Sequence, residues 1–198
     1  MFANRFTALI DACVLVGALK RNILLSLAEA ELFRPRWSER ILAETERTIC
    51  EILDGKGDEN AGARAARARR SMEIAFEDAI VSGHESLETS LFGLPDENDR
   101  HVVAAALKTR ASVIVTDNLK DFPDEILAPL DLEALSADEF IANTIDLDPH
   151  LALGAMKRMR ERLNNPGLSP EQFILTLERT GLLLVADMIE RHRPEWYP

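Results

Sequence analysis

The chain has 198 residues, 46% hydrophobic and 29% charged, with 34 acidic against 23 basic side chains and a formal net charge of −11. That length and composition fit one globular domain with a small appendage, and exclude a disordered or fibrous chain. The excess of acid, taken alone, argues against nucleic acid as a partner.

The predicted elements begin with a short apolar strand, Thr7–Asp11, followed by an apolar stretch of helical length, Ala12–Leu27. Its longest apolar run, Ala12–Leu19, is too short to span a bilayer, and Asp11 interrupts what a secretory signal would need as its apolar segment. Cys13 and Cys50 are too few for a disulfide framework and lack zinc spacing, so a reduced, cytoplasmic protein with no membrane partner is expected. Phe33–Trp37 reads as a break, because Pro35 is excluded from a helix interior. Ser38 then caps a helix to about Leu53, Asp54–Asn60 is a loop, and Ala61–Val81 is an Ala- and Arg-rich helix. Residues 84–95 read either as a short helix or as an irregular crossing. A helix from Asn98 to about Thr109 precedes the clearest buried strand, Ser112–Thr116. The turn-rich stretch Asn118–Pro129, a short strand at Leu130–Leu135 and a helix capped by Ser136 follow. Asp146–Pro149 reads as a linker, giving domains of 1–145 and 146–198. The second holds helices at His150–Leu163, Glu171–Thr180 and Leu182–Arg191.

The charge is unevenly placed. Residues 1–70 hold 12 basic and 10 acidic side chains, whereas residues 71–145 hold 4 basic and 16 acidic. Four acids stand where strand–helix alternation would bring them to one edge of a parallel sheet. Asp11 and Asp117 end apolar strands, Asp99 lies in the first turn of a helix, and Glu44 lies two turns into another. Converging carboxylates cannot all stay ionised without a cation, and hard oxygen donors suit Mg²⁺ or Mn²⁺. Each acid also has an ordinary explanation. Glu44 would be solvated on a helix face, Asp99 would complement a helix dipole, and Asp96, Asp121 and Asp124 would stabilise loops. Asp11 is the hardest to explain away, since a buried Asp needs partners.

The order of an Asp ending the first strand (LIDACVLV), a Glu in the next helix (ILAETERT), an Asp opening a later helix (DENDRHVVAAAL) and a strand-Thr-Asp (VIVTDNLKDF) resembles the PIN domain. Leu94–Pro123 is most similar to VapC-type toxins of toxin–antitoxin pairs, in the branch with a helical C-terminal extension. The resemblance implies an α/β fold, a PIN-like parallel sheet flanked by helices. It also implies a metal-dependent endoribonuclease with Asp11, Glu44, Asp99 and Asp117 as ligands of Mg²⁺ or Mn²⁺. RNA (tRNA or rRNA), a cognate antitoxin and a homodimer contact are the implied partners. The family's fourth acid commonly stands two places after the Thr, where this chain has Asn118, and Asp96 is an additional acid three residues before Asp99.

Phosphate contacts would come from Lys20, Arg21, Arg34, Arg36, Arg40 and the Arg64–Arg70 stripe, although an Ala/Arg-rich helix is more often a solvated face. Phe33 and Trp37 are expected in the core rather than stacked on bases, and His101, one residue from Arg100 on the Asp99 helix, on the surface rather than approaching the substrate. No nucleophile motif accompanies His84, His101, His150 or His192, and Cys13 stands where an aspartyl phosphatase would need its second Asp. The competing reading from another class is a PIN-like module that docks a protein partner. Its support is the apolar tail, with Phe173, Leu177, Leu182–Val185 and Met188.

Overall fold

β1 (Thr7–Ile10) is the middle strand of a five-stranded, all-parallel sheet of order β3-β2-β1-β4-β5. The computed structural model describes residues 6–163, 167–192 and 196. The other strands are β2 (Arg34–Ser38), β3 (Ile80–Val81), β4 (Val113–Val115) and β5 (Glu133–Leu135). The molecule is thus an α/β fold, a parallel sheet flanked by helices and extended by C-terminal helices.

The apolar stretch after β1 is two helices, α1 (Ala12–Val16) and α2 (Ala18–Glu29), broken at Gly17. The break strands carbonyls that Arg21 recovers, its Nη1 donating to Leu15 O at 2.6 Å and Val16 O at 3.2 Å. Arg21 is therefore committed to holding the helix junction.

Phe33–Trp37 is not a break. Most of it is β2, paired with β1 in the register Thr7↔Arg34, Ala8↔Pro35 and Leu9↔Arg36. Pro35 is tolerated for a geometric reason. Arg34 N donates to Phe6 O, just before β1, so the next backbone nitrogen faces the opposite edge. There β3 pairs only with Trp37 and Ser38, and no acceptor goes unmet at Pro35. Phe33 and Trp37 are buried, as the sequence predicts.

Ser38 accepts from Ile41 N and opens α3 (Glu39–Asp54). The Ala/Arg-rich helix, α4 (Ala61–Ala75), is shorter than its composition suggests. Phe76 leaves it to pack edge-on against Trp37, 6.0 Å between ring centres, and a 3-10 turn leads into β3. Arg69 joins α3 to α4 by ion pairs to Glu39, Glu46 and Glu73, while Arg64 pairs with Asp58. Two members of the Arg64–Arg70 group are thus neutralised locally.

α5 (Glu85–Glu88) is the short helix of the ambiguous stretch, and α6 (Arg100–Thr109) lies against β1, β2, β3 and β4. α6 buries His101 through Ala106 without interruption, so His101 belongs to the core and not to the surface. α7 (Asp124–Leu127) bridges β4 and β5 in sequence, and α8 (Ala137–Leu147) follows with a complete Ser136–Glu139 capping box.

Asp146 lies inside α8, so the expected linker shrinks to Asp148, which caps α9 (Pro149–Arg162). α10 (Pro170–Arg179) and α11 (Leu183–Arg191) are separated at Gly181, whose φ of 80° favours glycine. α9 packs on α2 and α11 on α8. Phe173, Leu177, Leu182, Val185 and Met188 of the apolar tail are buried in this arrangement, whereas Leu183 and Leu184 stay exposed.

Candidate active site

The carboxyl ends of β1 and β4 meet because the two strands are hydrogen-bonded neighbours, Ile10 opposite Val115. Asp11 follows β1 and Thr116 follows β4, side by side at the sheet edge where parallel α/β proteins gather ligands. The Asp11 carboxylate is buried and firmly oriented. Oδ1 accepts from Ala12 N at 2.6 Å. Oδ2 accepts from the Thr116 hydroxyl at 2.8 Å and from the Cys13 thiol at 3.1 Å. Asn118 N in turn donates to Thr116 Oγ1 at 3.1 Å, fixing that hydroxyl's direction toward Asp11. A carboxylate offers about four lone-pair sites, so these three bonds leave Asp11 acceptor capacity for a further group.

Asp99 stands at the N-terminus of α6 on the same edge. Burial, then the charges of Asp11, Asp96, Asp121 and Glu44, push its carboxyl up to about 6. Asp99 thus senses the charges of four other acids around this edge. Glu44, from α3, receives Arg40 Nε at 3.1 Å and approaches His101 Nε2 at 3.5 Å. Burial, with help from Arg40 and His84, lowers His101 to about 4, so the imidazole is neutral near pH 7 and Arg40 is the charged partner of Glu44. Arg40 also donates to Asn98 O at 3.3 Å, tying α3 to the turn that carries Asp99. Asp96 caps that turn through Asn98 N at 2.8 Å, and Asp121 accepts from the Asn118 amide.

Asp117 is not brought into this group. Its Oδ2 pairs with Lys20 Nζ at 2.7 Å and its Oδ1 accepts from Ala137 N at 3.2 Å, at the start of α8. Strand alternation accounts for this: with Thr116 turned toward Asp11, the next side chain faces the other way. Asp121 takes the position among the acids instead. The same alternation was available from VIVTDNLKDF alone, but the turn that returns Asp121 to the site was not.

Cys13 is an exposed residue whose thiol is turned onto Asp11, and partial desolvation of the sulfur, then the Asp11 charge, push that thiol up to about 12. Cys13 is therefore a hydrogen-bonding thiol and a poor nucleophile. Among the described residues, no three His, Cys, Asp or Glu side chains stand close enough to hold a metal ion as they are. The donor set nevertheless fits a hard divalent cation. It is all carboxylate, it is concentrated enough to keep one member partly protonated, and it has Arg40 as the only charged base hydrogen-bonded to it among the described residues. Asp11, Asp99 and Asp121, with Glu44 and Asp96, are the residues that could close on an ion.

A family model described as PIN domain matches residues 7–120, and one described as VapC50 C-terminal domain matches residues 137–191. A curated relative from Mycobacterium tuberculosis (strain ATCC 25618 / H37Rv), named "Putative ribonuclease VapC50", is 40% identical over 76 residues. The aligned stretch covers 38% of this chain and 45% of that relative, less than half of each. No solved structure matches the chain.

Proposed function

The chain belongs to the PIN domain family, and from that premise we propose that it is a metal-dependent endoribonuclease that hydrolyses RNA phosphodiester bonds as the toxin of a toxin–antitoxin pair. The observation that carries the reading is Asp11, buried at the end of β1 and aimed by Thr116, Cys13 and the Ala12 amide, with Asp99 at the start of α6 raised by burial and by the charges of Asp11 and three further carboxylates. A protein gains nothing in stability from such crowding, whereas a cation and a phosphodiester would use it.

In this reading Asp11, Asp99 and Asp121 hold Mg²⁺ or Mn²⁺, with Glu44 and Asp96 close by. A bound ion of this kind supplies an activated water and a counter-charge for a phosphodiester oxygen. The chain's own part is orientation. Thr116, Cys13 and the Ala12 amide aim Asp11, and Arg40 keeps Glu44 and the Asp99 turn in register. Asp117 acts one step away, by fixing Lys20 and the start of α8. No side chain is needed as a covalent nucleophile in this scheme. The substrate is structured RNA, tRNA or rRNA, met in the cytoplasm, and a cognate antitoxin covers the protein until it is released. None of the described helices is long and apolar enough to cross a membrane.

The test is cleavage of tRNA and rRNA pools with Mn²⁺ or Mg²⁺. Fragments should form with either ion, vanish in excess EDTA, and vanish for Asp11→Asn and Asp99→Asn while both variants remain folded. Cleavage that persists in EDTA, or full activity of both variants, overturns the reading.

A further inference from the structure

Phe92 is the most exposed large hydrophobic side chain among the described residues, at 73%. Its exposure is built into the loop. Leu91 and Leu94 on either side are buried, and Gly93 between them has a φ of 87°. A Cβ at Gly93 would lie 3.0 Å from Ile126 Cδ1, so the loop passes close to α7 at this point. An isolated exposed apolar residue is ordinary; a ring held outward between two buried anchors beside a charged site is not.

Two further features point to what the ring meets. The Arg100 guanidinium carbon lies 5.8 Å from the Phe92 ring centre, over one face, and Arg100 is the residue directly after Asp99. Its Nη2 is braced by Glu97 Oε1 at 2.6 Å, while its Nε is buried without a partner. The structure therefore sets an aromatic surface against a cation whose residue directly follows Asp99. An aromatic ring beside a guanidinium, next to a centre for phosphodiesters, suits an unpaired nucleobase: the base stacks and the cation meets the adjacent phosphate.

We propose that Phe92 and Arg100 form a stacking platform for an RNA base next to the scissile phosphate, so that the enzyme engages a single-stranded or unstacked nucleotide there. The proposal rests on the nuclease reading above and adds to it the two side chains that hold a base beside the cut. A paired base inside a duplex has no free face to offer the ring, so loops and unpaired junctions are the preferred sites.

The experiment compares two fluorescein-labelled RNA oligomers of about 12 nucleotides with phosphorothioate linkages, one of mixed sequence and one abasic throughout, bound in Mn²⁺ and followed by anisotropy. Phe92→Ala should weaken the base-bearing oligomer roughly tenfold and leave the abasic one unchanged, while Phe92→Tyr should bind like the wild type. In Phe92→Trp the new indole is exposed, unlike buried Trp37 and Trp196, and its emission should be quenched saturably by the base-bearing oligomer alone. If Phe92→Ala binds both oligomers as the wild type does, the platform is overturned and the nuclease reading stands, leaving the exposed ring to a protein contact. If the wild type binds neither oligomer and cleaves no RNA, both readings fall together.

Discussion

Asp99→Asn should make the metal-free protein more stable and less active, with a pH dependence that identifies the cause. The Asp99 carboxyl is displaced from 3.8 to about 6 by burial and by Asp11, Asp96, Asp121 and Glu44. Such a displacement corresponds to about 3 kcal/mol between the two protonation states. The side chain is half-buried, and solvent screening reduces the expected effect to about 1–2 kcal/mol. Because the folded state holds this proton more tightly than the unfolded chain, stability falls as pH rises from about 4 through 6, then levels off. Asn carries no charge and escapes that decline. At about pH 7.5, without divalent ions, the variant should melt roughly 2–8 °C above the wild type, given about 2–4 °C per kcal/mol for a chain of this size. Near pH 4 the two should converge. Adding Mn²⁺ should stabilise the wild type by mass action and the variant far less. Differential scanning fluorimetry across pH, with and without metal, reads all three effects. A variant that melts at or below the wild type at neutral pH, or a gap that does not close in acid, refutes the claim that Asp99 is repelled by its neighbours.

The remaining expectations concern how the site is held. Thr116→Val removes the donor to Asp11 Oδ2 and the acceptor for Asn118 N; unfolding titrations should show a loss of about 1–3 kcal/mol, with cleavage reduced in kcat more than in KM. Asp117→Asn should keep RNA cleavage near the wild-type level, whereas Asp121→Asn should raise the Mn²⁺ concentration needed for half-maximal cleavage; the opposite order would restore Asp117 to the ligand set. Lys20→Met breaks a pair whose members are partly exposed, so its cost by urea denaturation should be below about 1 kcal/mol. Arg69→Met deprives Glu39, Glu46 and Glu73 of their shared cation and should cost about 1–2 kcal/mol, read as a lower urea midpoint with metal affinity unaltered.

How far the site could be read from sequence depended on whether a residue's role was set locally. Asp11 and Asp99 were legible because each adjoins an unambiguous apolar element, β1 or α6, and element ends fall on a known edge of a parallel sheet. Asp121 was not legible, because it reaches the acids through the turn after β4, and a turn's direction has no periodicity to read. β2 was hidden by Pro35, whose missing donor matters only if the neighbouring strand extends that far; β3 does not. The sequence points His101 to the surface because one polar residue at a helix start looks exposed, whereas α6 lies against four strands and buries it. Arg21 and Arg69 read as phosphate-binding charges, yet the break at Gly17 and the α3–α4 contact each needed a guanidinium.

The acid excess in residues 71–145 resolves into two uses of one property. Only Asp96, Asp99 and Asp121 of that stretch join the acidic group. Several others hold helix N-termini, where unpaired amides and the helix dipole favour a carboxylate. Asp117 meets Ala137 N, Glu139 meets Ser136 N, and Asp138 accepts from both Leu184 N at 2.9 Å and Val185 N at 3.0 Å. The Asp138 bonds span the step from α8 to α11, so the same stretch that carries part of the candidate site also seats the last helix. Net charge sums these roles and hides both. A carboxylate facing an amide has its hydrogen-bonding satisfied where it stands, and one facing other carboxylates does not. The second kind, though a small share of the total, determines what the sheet edge attracts. A divalent ion there would reverse the sign that RNA meets, and an overall charge of −11 is therefore compatible with an anionic substrate.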